Sequence, residues 1–79
     1  MSNLEKYKNA FVEAFDVSLD EVESLKYQGI AAWDSVGHMG LVAILEESFD
    51  IMLETDDVID LSSYQKGKEI LSTKYGVEF

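Results

Sequence analysis

Asp34, Ser35 and His38 lie close together in the stretch WDSVGHMGL (33–41), and their side-chain types allow two kinds of chemistry. A serine, a histidine and a carboxylate are the parts of a nucleophile, its general base and the group that orients the base. A serine at the start of a helix has a second use. The first helical turn leaves up to four backbone N–H groups unpaired and carries the positive end of the macrodipole, so a phosphate attached to that hydroxyl is stabilised there. The plainest use is structural: Asp34 or Ser35 as an N-cap contributes about 1 kcal/mol and needs no other purpose.

Helical spacing argues against the triad. With a helix beginning at residue 35, Ser35 projects to the exposed side, whereas His38 lies about 60° away on the side of Leu41 and Leu45. A chain of 79 residues also has no room for a buried cleft with an oxyanion pocket. His38 therefore reads as a partly buried residue bonded to the preceding loop, and no catalysis by the chain itself is expected. Asp50, Glu54, Asp56, Asp57 and Asp60 form an acidic cluster, but it lacks the alternating ligands and the glycine of an EF-hand. It reads as a solvated acidic surface, with no metal site. The chain has no cysteine, which excludes disulfides, zinc–thiolate sites and a cysteine nucleophile. Thiol chemistry here would need an imported thiol.

Four helical segments must position these groups. Ser2 and Glu5 have capping-box spacing, and Leu4, Tyr7, Phe11, Val12 and Phe15 recur at helical intervals opposite Glu5, Lys6, Asn9, Glu13 and Asp16, giving a first helix over about 3–16. Residues 17–34 show no sustained period. Ser18 and Glu21 suit one short turn that points Val22 and Leu25 inward, and a connection this long is uncommon unless it is functional or crosses the bundle. Trp33, at its end, either braces whatever Ser35 carries or, more simply, packs into the core. A second helix is expected over 35–49 and a short third from a Thr55 cap through Leu61. A last helix is capped by Ser62 and Gln65, turns Tyr64, Ile70, Leu71 and Tyr75 inward, and stops at Gly76. Apart from weak alternation over Asp50–Leu53, nothing reads as a strand. The fold class is all-α: a small antiparallel helical bundle with three longer helices and one short one.

The second helix has two apolar sides. Leu41, Ile44, Leu45 and Phe49 form a sufficient core stripe. Opposite them stand Ser35, Val36, Met39, Gly40, Ala43, Glu46 and Glu47, an apolar centre with a charged rim, which is the pattern of a docking surface. Gly37 and Gly40 each cost about 0.8–1.0 kcal/mol relative to alanine inside a helix, and are read as letting a partner or a bound group approach the backbone.

Sixteen acidic against six basic residues give a net charge of −10. That charge repels a nucleic-acid backbone or an anionic membrane over roughly 8–10 Å, favours the monomer, and favours a protein partner with a basic patch. No apolar run approaches the roughly 20 residues that cross a bilayer, and the start lacks the apolar core of a secretory signal, so a cytoplasmic location without membrane insertion is expected. The length fits one domain whose core supplies about 3–5 kcal/mol of net stability.

Asp34-Ser35-Val36 resembles the Asp-Ser-Leu signature of acyl carrier proteins. The similarity continues through GLVAILEESFDIML (40–53), which is like that family's second helix and the segment after it. The order of long helix, long loop, second helix, short helix and final helix agrees as well, so the resemblance spans nearly the whole chain. It implies that residues 1–79 form a single discrete carrier domain and that Ser35, beside Asp34, is esterified by 4′-phosphopantetheine. The terminal thiol of that group would carry an acyl or aminoacyl cargo as a thioester. It also implies docking, through apolar Val36 and Met39 and acidic Glu46 and Glu47 on the face that Gly40 and Ala43 complete, to a phosphopantetheinyl transferase (holo-acyl-carrier-protein synthase) and to acyl-loading and acyl-transfer enzymes with basic patches. Gly40 departs from the pattern, since fatty-acid synthesis carriers commonly have a glutamate there, and Gly37 often has an acidic counterpart. The WDSVGHMGL form is more similar to carriers of specialised or surface-polysaccharide pathways. Leu41, Leu45, Ile70 and Leu71 are expected to line an inner apolar region that shelters a fatty cargo. The alternative from the residues alone is an acidic helical interaction domain that bears no cofactor.

Overall fold

The structure, a computed structural model, describes residues 2–79 and has four α-helices and no strand among them: α1 Asn3–Phe15, α2 Ser35–Phe49, α3 Thr55–Asp60 and α4 Tyr64–Lys74. It is the small all-α bundle expected, within 30 × 27 × 18 Å. α1 starts at the predicted capping box, where the Ser2 hydroxyl accepts the Glu5 amide (3.1 Å) and the Glu5 carboxylate accepts the Ser2 amide (3.4 Å). It ends at Asp16, whose left-handed backbone (φ 55°) lets its amide bond the Val12 carbonyl at 2.8 Å.

α1 buries Tyr7, Ala10, Phe11 and Phe15, and aromatic side chains fill the centre of the bundle. Phe11 meets Tyr7, Tyr64 and Trp33 edge-on with ring centroids 5.0–5.6 Å apart, and Phe15 stacks on Trp33 at 5.0 Å. Such pairs add about 0.5–1.5 kcal/mol each beyond the area they bury. Leu41, Val42 and Leu45 of α2 and Ile70 and Leu71 of α4 complete the core. The Tyr7 hydroxyl donates to the Tyr64 carbonyl at 2.6 Å across the α1–α4 contact. Gly67 makes that contact possible, because a side-chain carbon there would collide with the Tyr7 hydroxyl and the Leu61 methyl.

The long connection between α1 and α2 crosses the bundle. A 3₁₀ turn over Val22–Ser24 buries Val22 and, just beyond it, Leu25. The chain is then tied to the α3–α4 junction: the Tyr27 amide donates to the Ser62 carbonyl (2.8 Å) and the Tyr64 amide to the Leu25 carbonyl (3.0 Å).

Several boundaries differ from expectation. α4 is capped by Ser63, whose hydroxyl accepts the Lys66 amide (3.0 Å), and not by the Ser62–Gln65 pair. Ser62 is instead drawn to the loop by its carbonyl. Thr55 is the first residue of α3, and Glu54 before it caps through its carbonyl, which accepts the Asp57 and Val58 amides. Residues 50–53 are irregular, held by a bond from the Leu53 amide to Glu46 Oε2 (2.9 Å). Val42 joins the core beside the predicted stripe, while Ile44 and Phe49 are only half-buried. α4 ends at Lys74, with Gly76 just beyond it at φ 69°.

Candidate functional site

α2 begins where the loop delivers Trp33 to the core. The indole is fully buried, stacked between Phe15 and the His38 ring, and its N–H donates to His38 Nδ1 at 2.9 Å. An indole N–H can only donate, so Nδ1 is the accepting nitrogen, and His38 Nε2 carries the proton it donates to the Val58 carbonyl of α3 at 2.7 Å. Both ring nitrogens are thus engaged, and His38 pins the loop and α3 to the first turn of α2.

Asp34 is the N-cap of α2, its carboxylate accepting the Gly37 amide at 2.8 Å. Ser35 is therefore free of capping. Its side chain is exposed, and its hydroxyl lies 3.3 Å from the Tyr27 hydroxyl. The amides of Ser35 and Val36 take no partner among the described residues, as a helix start requires. The three groups that the sequence places side by side are thus separated in their contacts: Asp34 serves an amide, His38 serves Trp33 and Val58, and Ser35 meets a phenol.

The outer face of α2 is uncovered. Val36 is 81% and Met39 56% exposed, and Gly40, Ala43 and Glu47 are exposed with them. Ile59 of α3, 71% exposed, extends the apolar area. Glu46 belongs to this face only in part, because it is half-buried and one carboxylate oxygen holds the Leu53 amide. The two glycines differ. A side-chain carbon at Gly37 would overlap the Ala32 carbonyl oxygen, so the backbone it admits is the chain's own loop, whereas Gly40 faces open space.

Between α2 and α3 a groove of about 370 Å³ opens at Ser35, lined by Tyr27, Ser35, His38, Met39, Val58, Ile59 and Ser62. Its lining is mostly apolar. Leu41, Leu45, Ile70 and Leu71 are sealed in the core and are not part of it. Tyr27, Val58, Ile59 and Ser62 were not legible as site residues; the only sequence signal was an aromatic residue in a loop segment without period.

The acidic cluster separates into two kinds of residue. Asp50, Glu54, Asp56 and Asp60 are exposed. Asp57 is 3% exposed, contrary to the solvated surface expected, because Lys74 Nζ (2.6 Å) and the Tyr75 hydroxyl (2.5 Å) reach over it from the end of α4. Those two hydrogen bonds hold its carboxyl below the usual carboxylate value, and the same bond raises Lys74. No group of three or more metal-ligating side chains is gathered among the described residues, and no helix there is long and apolar enough to cross a membrane.

The class that fold and site define is a small all-α bundle presenting an exposed serine at a helix start beside an apolar groove. Comparison with protein-family models, with curated proteins and with solved structures finds no match for the chain.

Proposed function

We propose that this chain is a carrier protein, similar to the acyl carrier proteins, that bears 4′-phosphopantetheine on Ser35 and presents a tethered cargo to biosynthetic enzymes. The observation that carries the reading is that Ser35 is an exposed hydroxyl relieved of capping by Asp34. It stands beside two amides that have no partner among the described residues, where an anionic ester is favoured. The residues present fit such a group. Ser35 would hold it, Tyr27 and Ser62 offer hydroxyls beside it, and the groove of about 370 Å³ opens where the arm would leave Ser35. When attached, the group supplies the thiol that the cysteine-free chain lacks, as the site of a thioester.

The chain's own residues then anchor and present. Asp34 fixes the first turn of α2, His38 fixes α3 against it, and Val36, Met39, Gly40, Ala43 and Glu47 offer an apolar patch with an acidic border to a transferase or partner enzyme carrying basic side chains. A short cargo on a flexible arm suits the groove, and tethering raises its effective concentration at each enzyme. The expected chain is a monomer acting in the cytoplasm and catalysing nothing itself. Incubation with coenzyme A and a broad-specificity phosphopantetheinyl transferase tests the reading. One adduct of phosphopantetheine mass on the wild type and none on Ser35→Ala supports it. An unmodified wild type points instead to an acidic interaction domain that uses the same face.

A further inference from the structure

The geometry points to Tyr27 as a positioning residue: its phenolic hydroxyl, now paired with the Ser35 hydroxyl, donates to the phosphate once Ser35 is esterified. This rests on Ser35 being the attachment residue. Tyr27 sits in the crossing loop, 36% exposed, yet it is held from three sides. Its amide bonds the Ser62 carbonyl (2.8 Å), and its ring meets His38 edge-on at 5.4 Å and Trp33 at 6.4 Å. The fold thus delivers the hydroxyl to 3.3 Å from Ser35 Oγ.

Charge makes that hydroxyl matter. The chain has six lysines and no arginine against 16 acidic residues, and no lysine lines the groove. The imidazole there is occupied by Trp33 and Val58. An anion on Ser35 is therefore met by neutral donors alone, the amides of Ser35 and Val36 and the nearby hydroxyls. Esterification removes the proton of Ser35, so of the paired hydroxyls only the phenol can still donate. A bond from a hydroxyl to an anionic oxygen is shorter and roughly twice as strong as one between neutral groups. The phenol's bond to an anionic phosphate oxygen is thus stronger than the hydroxyl–hydroxyl pair it replaces.

Phosphorus NMR of the loaded protein tests this with Tyr27→Phe, which keeps the ring against His38 and Trp33 and removes only the hydroxyl. Each protein is recorded folded and in urea. The folded wild-type phosphodiester signal is expected apart from its position in urea, and Tyr27→Phe moves it most of the way to that position with the circular dichroism melt unchanged. A Tyr27→Phe signal coinciding with that of the folded wild type overturns the role. Should the variant unfold, the wild type decides: the Tyr27 ring-carbon bearing oxygen shifts between unloaded and loaded forms, and an unchanged shift overturns the role. Failure of the wild type to gain the cofactor mass removes the attachment reading and this role together, before any spectrum is taken.

Discussion

The two sides of α2 both carry apolar residues and have opposite fates. Leu41, Val42 and Leu45 are sealed beneath α1 and its aromatic rings, while Val36 and Met39 on the same helix face outward, 81% and 56% exposed. What separates them is cover. α1 lies over one side and the loop ends at Trp33 on that same side, while Val36, Met39 and Ala43 on the other are exposed. An uncovered apolar side of this kind contributes little to folding, and a docking role for it belongs to the proposed function. The inner side makes the first turn rigid; in the proposed carrier role the outer side and Ser35 would use that rigidity.

Breaking the inner side should have the largest effect. Trp33→Ala removes the stack on Phe15 and the bond to His38, and a loss of about 3–5 kcal/mol would consume the net stability of a domain this size. Urea melts by circular dichroism should show a largely unfolded chain; a melt within about 1 kcal/mol of wild type would mean the loop is not part of the core.

Gly37→Val comes next, since it drives a side chain into the Ala32 carbonyl, with overpacking costs typically about 1–3 kcal/mol. Gly40→Ala, facing open space, should instead be neutral or slightly stabilising by helix propensity, about 0.8–1.0 kcal/mol. Equal melts for the two would show that the first turn of α2 is not pressed on the loop.

Asp57 tests the far end of α3. Its carboxyl is held low by Lys74 and Tyr75, so it supports the fold above the ordinary carboxylate value of 3.8, and that support is lost as pH falls through the lower folded value. Asp57→Asn should lower the melting temperature at neutral pH and flatten the acid side of the stability curve. An unchanged acid limb would assign it to other carboxylates.

Two tyrosines give a smaller contrast. Tyr7 donates to the Tyr64 carbonyl, while the Tyr64 hydroxyl is buried without a partner among the described residues. Tyr7→Phe should cost about 1 kcal/mol, and Tyr64→Phe should be neutral or stabilising by a similar amount, because an unsatisfied buried group costs about 1–3 kcal/mol. The reverse order would mean that the Tyr64 hydroxyl has found an acceptor. The outer side should give the least change in stability: Val36→Asp and Met39→Asp stay within about 0.5 kcal/mol of wild type while slowing modification by the transferase. A lowered melt would identify this face as structural.

Local chemistry was legible where it acts over short distances. The Ser2–Glu5 box, the cap at Asp34 or Ser35 and the periodic inner residues of α1 place their elements to within a residue, and the structure selects Asp34. Partners far along the chain decided the rest. Ser62 and Ser63 are equal as caps until the Tyr27 amide takes the Ser62 carbonyl. Asp57 resembles its acidic neighbours until Lys74 and Tyr75, 17 and 18 residues on, cover it. Gly37 looks like room for a ligand until the Ala32 carbonyl fills it. Tyr27 reaches Ser35 only because the loop crosses the bundle, a path no local pattern records.

The chain has eight serines, and the account requires that one of them be a tether. After reaction with coenzyme A and transferase, digestion and fragmentation of the peptide spanning Ser35 should release pantetheine from Ser35 and from no other serine. An adduct on a different serine, or none on a chain that remains fully helical, would contradict it.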